Sequence, residues 1–187
     1  MKILTDSLDA PWKALNEAVM YLLKIPALVY IYLSGVEIGG GSKFYGLPRF
    51  FRFRGSRISI GNRFESRNFW YSNPLGITHP TIICTWNKKA VIKIGRDVGI
   101  SGGSIVAADR IEIGDGTLIG ANTTIIDTDF HPISSEKRRY ATKNVKSRPI
   151  VIGKNVFIGM NSIILKGVTI PDNSIVPAGS VVRRWEK

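Results

Sequence analysis

His131, one of two histidines in a chain of 187 residues, stands in the string DTDFHPI that runs from Asp127 to Ile133. An imidazole, with an ordinary pKa of about 6.5, accepts a proton near neutral pH. That is the proton an alcohol must shed as it attacks an electrophilic carbonyl, so the residue type suits a general base. Such a base works better when a carboxylate holds its second ring nitrogen, fixing the tautomer and stabilising the imidazolium. Asp127 and Asp129 are the nearby carboxylates, and either can serve. Asp129, two residues before His131, would project to the same side of an extended stretch. Turn chemistry is the rival explanation for both, because Asp bonds readily to loop backbone.

The remaining reactive side chains are few. His79, in NPLGITHPTII, either touches an acceptor or braces a turn before Pro80. Cys84 is the single cysteine; it can form no internal disulfide, and its apolar run from Thr81 marks it as a buried structural thiol. A net charge of +12 calls for an anionic partner. The basic residues gather in the stretch Lys137, Arg138, Arg139, Lys143, Lys146 and Arg148, and again at Arg183, Arg184 and Lys187. Arg139 is thereby a candidate for acceptor binding, and Arg183 and Arg184 for a phosphate. No helix-turn-helix, zinc-finger or RNA-recognition pattern accompanies the charge, so nucleic acid is not the expected partner.

The elements that must position these groups are announced by a repeat. Ile152, Ile158, Ile164, Ile170, Val176 and Val182 recur every six residues, with a small or β-branched residue four places on at Val156, Ser162, Val168, Ser174 and Ser180. Six is not a multiple of 3.6, and Gly and β-branched residues are poor helix formers, so the pattern predicts stacked strands. Each repeat must bury its apolar side against its neighbours, as in a β-solenoid. The same phase appears at Ile94, Ile100 and Val106, then Ile113, Ile119 and Ile125, where a step of seven predicts a corner bulge. Gly follows the aliphatic residue at Gly95, Gly114, Gly120, Gly153 and Gly159, which predicts corners needing a free φ. Val36–Gly39 and Ile58–Gly61 carry a weaker trace.

The period fails between Ile125 and Ile150, and a break that long inside a solenoid marks a functional loop, here assigned to 127–149. Ahead of the repeats, Trp12 to Leu33 is apolar and helix-like but interrupted by Lys24 and Pro26. A spanning helix would be expected to run about 20 apolar residues without a break. Residues 1–34 are therefore read as a cap over the open end of the solenoid or as an interfacial membrane contact, two roles that are compatible. Residues 35–187 form the repeat domain. Lys2 is not followed by a signal-like run, so the cytoplasm is the expected compartment, with a possible site at the inner face of the membrane.

GISG at Gly99–Gly102, DTDFHPI, and the run from IVIGKNVFIG through GVTI to AGSVV resemble the hexapeptide-repeat acyltransferases, and among them the bacterial O-acetyltransferases of O-antigen, capsule and colanic-acid sugars. The resemblance implies a mainly β fold: a left-handed parallel β-helix with an N-terminal helical segment and one long protruding loop. It also implies a homotrimer with sites between subunits, acetyl-CoA as cosubstrate, and His131 as the base in direct transfer to a sugar hydroxyl. Position by position it implicates Phe157, Gly159, Met160, Ala178 and Arg183 in the coenzyme groove and Ser101 in acceptor binding. Phe157 stands where the family often has Trp, and Pro177 where it often has Gly. Zinc-dependent relatives of this fold use three histidines, which this chain cannot supply, so no metal is expected. N-acetylation of an amino-sugar nucleotide or of another small acceptor is the nearest alternative. A non-catalytic basic module docking through 12–33 and 137–148 is the alternative of another class.

Overall fold

The computed structural model describes residues 9–133, 138–140 and 144–185. Among the described residues, eighteen short strands wind around three faces, with near six-residue spacing from β13 onward. The first face holds β1 (Glu37–Ile38), β4 (Arg57–Ile60), β7 (Val91–Ile94), β10 (Arg110–Ile113), β13 (Ile150–Ile152) and β16 (Thr169–Ile170). The second holds β2 (Lys43–Tyr45), β5 (Glu65–Arg67), β8 (Gly99–Ser101), β11 (Leu118–Ile119), β14 (Phe157–Ile158) and β17 (Ile175–Val176). The third holds β3 (Arg49–Phe51), β6 (Ile82–Thr85), β9 (Ser104–Ala107), β12 (Thr124–Ile126), β15 (Ile163–Leu165) and β18 (Val181–Val182). All pairings are parallel and each strand pairs with its counterpart one coil away, giving a left-handed parallel β-helix.

Register turns the hexads into interior ladders. Ile60, Ile94, Ile113, Ile152 and Ile170 stack on the first face, Ile100, Ile119, Ile158 and Val176 on the second, and Ile83, Ile105, Ile125, Ile164 and Val182 on the third. Strand side chains alternate, so only one residue in two or three can face such a narrow interior. Val106 corrects the phase read from sequence. It is half-buried, while Ile105 and Ala107 are fully buried, so the extra residues sit at the corner Ala107–Asp109.

The glycine expectation is also corrected. Gly95, Gly114, Gly120, Gly153 and Gly159 do not occupy the left-handed region; it falls two residues on, at Asp97, Gly116, Asn122, Asn155 and Asn161. What these glycines supply is closeness. A Cβ on Gly114 would lie 2.5 Å from the carbonyl carbon of Gly153, and one on Gly159 would lie 2.4 Å from the nitrogen of Ala178.

The helix α1 (Pro11–Leu33) covers the N-terminal end of the coil. Pro11 suits its first turn, where the missing N–H has no partner to lose. It ends in a Schellman motif about Gly35 (φ +66°): Gly35 N–H donates to the Tyr32 carbonyl and Val36 N–H to that of Ile31. A single stripe of Asn16, Met20, Ala27 and Ile31 is buried, and Ala27 and Ile31 join the core of the coil through Phe44 and Phe50. Tyr30 Oη accepts from Phe50 N–H (3.0 Å), and Tyr45 Oη donates to Glu17 (2.7 Å).

Candidate active site

Two excursions leave the prism, at different corners. The chain leaves after β12 through 127–133 and returns through 144–149 to β13, between the third and first faces, and residues 68–81 lie between β5 and β6, where the second face meets the third. The first is pinched at its foot. Thr128 and Ser147 form an antiparallel bridge, Asp129 N–H donates to Lys146 (3.1 Å), and Arg148 N–H to Asp127 (3.0 Å). His131 N–H then donates to the Asp129 carbonyl (2.6 Å), closing a γ-turn about Phe130 at φ +58°. An aromatic residue in that region is strained, and such strain persists only where the surroundings impose it.

The two carboxylates have different surroundings. Asp127 is fully buried, and its carboxylate accepts from the backbone N–H groups of Ala108 (2.7 Å), Asp109 (2.9 Å) and Arg110 (2.8 Å), tying its own corner to the one below. Burial pushes its carboxyl up from the ordinary value, against the pull of those donors. It does not reach the His131 ring. Asp129 is paired with Lys166, from the corner after β15, and its second oxygen is buried with no hydrogen-bond partner among the described residues. His131 itself is exposed, and no ring hydrogen bond is recorded for it among the described residues.

His131 stands in the wall of a cleft of about 450 Å³ that also includes Trp86, Asn87, Thr128, Phe130, Arg139 and Ser147. Trp86 and Phe130 meet edge to face at 5.3 Å between ring centroids. Trp86 follows β6, Ala108 follows β9 and Phe130 follows β12, so three successive coils build one wall at one corner. Arg139 is exposed, its guanidinium 5.6 Å above the Tyr140 ring. Lys137 and Lys143 of the basic loop, and Lys187, lie outside the described residues.

Phe157, Gly159, Met160 and Ala178 come together elsewhere. With Asn73, Leu75 and Ile175 they line a groove of about 380 Å³ where the second face meets the third. Ser101 is on the second face in a hollow of about 200 Å³ with Gly99, Leu118 and Phe157, and its Oγ accepts from Asn73 (3.0 Å). His79 Nδ1 is 2.7 Å from the Pro80 carbonyl, which fits the turn-bracing role. Arg183 and Arg184 are exposed after β18, Arg184 lining a hollow with Trp185 and Val182. One chain therefore holds His131 and the coenzyme candidates on opposite sides of its third face.

Sequence reasoning did not find Lys166, Trp86, Phe130 or Asn73. Each belongs to a different coil from its partner, and only the winding of the coil brings them together.

The family described as "Hexapeptide repeat of succinyl-transferase" matches residues 110–133 and 149–184. A galactoside O-acetyltransferase of Escherichia coli is 40% identical over 94 residues, 50% of this chain and 45% of that protein. Nodulation protein L of Rhizobium meliloti is 46% identical over 65 residues, covering 35% of this chain and 34% of that protein. The chain spans less than half the length of the curated relatives it matches. Among solved structures, a mutant of AntD, an N-acyltransferase from Bacillus cereus in complex with dTDP-4-amino-4,6-dideoxyglucose and coenzyme A, superposes with a TM-score of 0.54 at 21% identity. That match covers 76% of this chain and 70% of AntD, a likeness of fold. With the repeat, the three-faced coil and these relatives together, the chain is similar to the hexapeptide-repeat acetyltransferases.

Proposed function

We propose that the chain is an acetyl-CoA-dependent O-acetyltransferase whose acceptor is a sugar hydroxyl of a bacterial surface polysaccharide or its precursor. The observation that carries this reading is the placement of His131: on a strained, pinned turn, in the wall of an open aromatic cleft. Trp86 and Phe130 offer the flat apolar walls on which the C–H face of a pyranose packs. The galactoside O-acetyltransferase relatives support a sugar acceptor.

In the reaction, the acceptor hydroxyl attacks the thioester carbonyl while His131 takes its proton. The tetrahedral intermediate then collapses, the C–S bond breaks, and the imidazolium returns its proton to the leaving sulfur. Asp129 and Lys166 hold the turn that aims His131. The groove of Phe157, Gly159, Met160 and Ala178 suits the pantetheine arm, with Arg183 and Arg184 beyond it for phosphate. Because the base and the groove sit at different corners, a second copy of the chain completes each site, in a trimer.

The test is thiol release from acetyl-CoA across nucleotide sugars, lipid-linked sugar mimics and simple glycosides, for wild type and His131→Ala. Acceptor-dependent release that falls about 10²- to 10⁴-fold in the variant, with assembly retained, is the expected result. A fall below about tenfold removes His131 from the mechanism. No release with any acceptor and no acetyl-CoA binding leaves the docking-module reading.

A further inference from the structure

The outer side of α1 has no partner among the described residues. Trp12, Tyr21, Leu22, Ile25, Tyr32 and Leu33 are exposed, Leu22 at 77% and Ile25 at 73%. The helix is long and apolar enough to cross a membrane by length and composition. It is nevertheless held along one side, by the stripe from Asn16 to Ile31, by Tyr30 on the Phe50 backbone and by Glu17 on Tyr45. A helix anchored to a folded body along one side and apolar on the other lies in an interface rather than through it. Glu17 is its only carboxylate, and it is occupied; Lys13 and Lys24 remain.

The surface continues past the end of the helix. Arg52 Nε donates to the Ser34 carbonyl (2.9 Å), which brings the corner Phe51–Arg54 beside Leu33. Phe51 and Phe53 are about half exposed there. A Cβ on Gly55 would lie 3.3 Å from the Lys88 carbonyl, so Lys88 and Lys89 stack directly on that corner. Lys13, Lys24, Arg54, Lys88 and Lys89 make no ion pair among the described residues. Apolar and aromatic side chains flanked by uncompensated cations, on a chain of net charge +12, match one occupant.

We infer that the outer face of α1 and the basic corner 51–54 with Lys88 and Lys89 form a docking surface for an anionic lipid bilayer. The charge complementarity selects lipid over a second copy: a two-fold contact through this face would bring two copies of the same unpaired cationic patch together, with no carboxylate on it free to offset them. Leu22 and Ile25 enter the acyl boundary while the cations stay at headgroup level. The His131 loop leaves the third face three strand spacings above this corner, about 14 Å at the usual interval. A glycan presented from the bilayer would then meet the cleft, a consequence that rests on the transferase reading.

The experiment is co-sedimentation of the full chain with phosphatidylglycerol-containing vesicles and with pure phosphatidylcholine vesicles, with sedimentation velocity in parallel. Wild type is expected to pellet with the anionic vesicles and to remain in solution with phosphatidylcholine. Leu22→Glu with Ile25→Glu should abolish binding. Arg54→Glu with Lys88→Glu and Lys89→Glu should weaken it at least about tenfold. Both variants should keep the wild-type oligomeric state. Absence of binding to anionic vesicles overturns the inference, as does undiminished binding by both variants. Dissociation of the assembly by Leu22→Glu with Ile25→Glu, without lipid, assigns the face to a second copy instead. Since the readout is lipid binding, loss of the transferase reading would leave it standing, and the reverse.

Discussion

Lys166 is ion-paired to Asp129, 37 positions earlier in the chain, and the pair ties the turn bearing His131 to the next coil of the prism. About four-fifths of each side chain is shielded from solvent. Asp129 reaches Lys166 with one oxygen only, the other being buried without a hydrogen-bond partner among the described residues. The carboxylate two residues before His131 thus serves the turn and not the ring.

Removing Lys166 would leave that carboxylate shielded and unpaired. Lys166→Ala is expected to cost about 1–3 kcal/mol in urea denaturation, the usual cost of leaving a largely shielded acceptor without its partner. It should also lower kcat by a larger factor than it raises KM for acetyl-CoA, because the turn that aims His131 loses its anchor. Lys166→Arg should restore much of both. Equal stability of Lys166→Ala and wild type would show that the pair carries no weight.

Asp127 makes a different prediction. In Asp127→Asn the amide nitrogen would face at least one backbone N–H that now donates to a carboxylate oxygen, at a cost of about 1–3 kcal/mol for each donor left unpaired. Because burial raises the wild-type carboxyl, the folded state holds its proton more tightly than the unfolded state does. Its contribution is therefore fully present below the ordinary carboxylate range and declines as pH rises through the raised value. Denaturation from pH 3.5 upward should show the wild-type advantage over Asp127→Asn shrinking with pH; an advantage growing with pH contradicts the assignment.

The glycines separate close approach from open space. Gly114→Ala sets a methyl 2.5 Å from backbone atoms of Gly153 and should cost about 1–3 kcal/mol or more. At Gly40 nothing lies within 4 Å and φ is not positive, so Gly40→Ala should be neutral or stabilise by up to about 1 kcal/mol. Thermal denaturation of the two variants decides it.

Arg183→Ala tests the phosphate end of the proposed coenzyme groove. It should raise the apparent KM for acetyl-CoA more than it lowers kcat, since it removes binding common to the ground and transition states. An unmoved KM takes Arg183 out of the site.

The architecture was legible from local pattern because a solenoid is built from near-identical units, each meeting only its neighbours. The hexads from Ile152 to Val182 mark interior positions one by one, and all six are strand residues in the structure. The reading went astray where the pattern had two physical causes. At Gly114 and Gly159 the pattern predicts a φ requirement, whereas the glycine is there because the neighbouring coil leaves no room for a Cβ. At Val106, aliphatic character alone could not tell an inward Ile105 from an outward neighbour, because an irregular corner shifts the phase.

His131 and its loop were visible in the sequence because they interrupt a period, and an interruption is itself a local signal. The cleft around them was not. Trp86, Phe130 and Lys166 lie in segments with no pattern in common, and they meet because each turn of the prism returns the chain to the same corner. The sequence alone determined the strand period, the interior ladders and the imidazole of His131 in the break between Ile125 and Ile150, all properties of adjacent residues. Only the tertiary structure decided which carboxylate is spent on backbone, which is paired to lysine, and that His131 and the coenzyme candidates occupy separate corners. Those outcomes depend on how many residues each coil takes to close, a quantity summed over the whole winding and carried by no single motif.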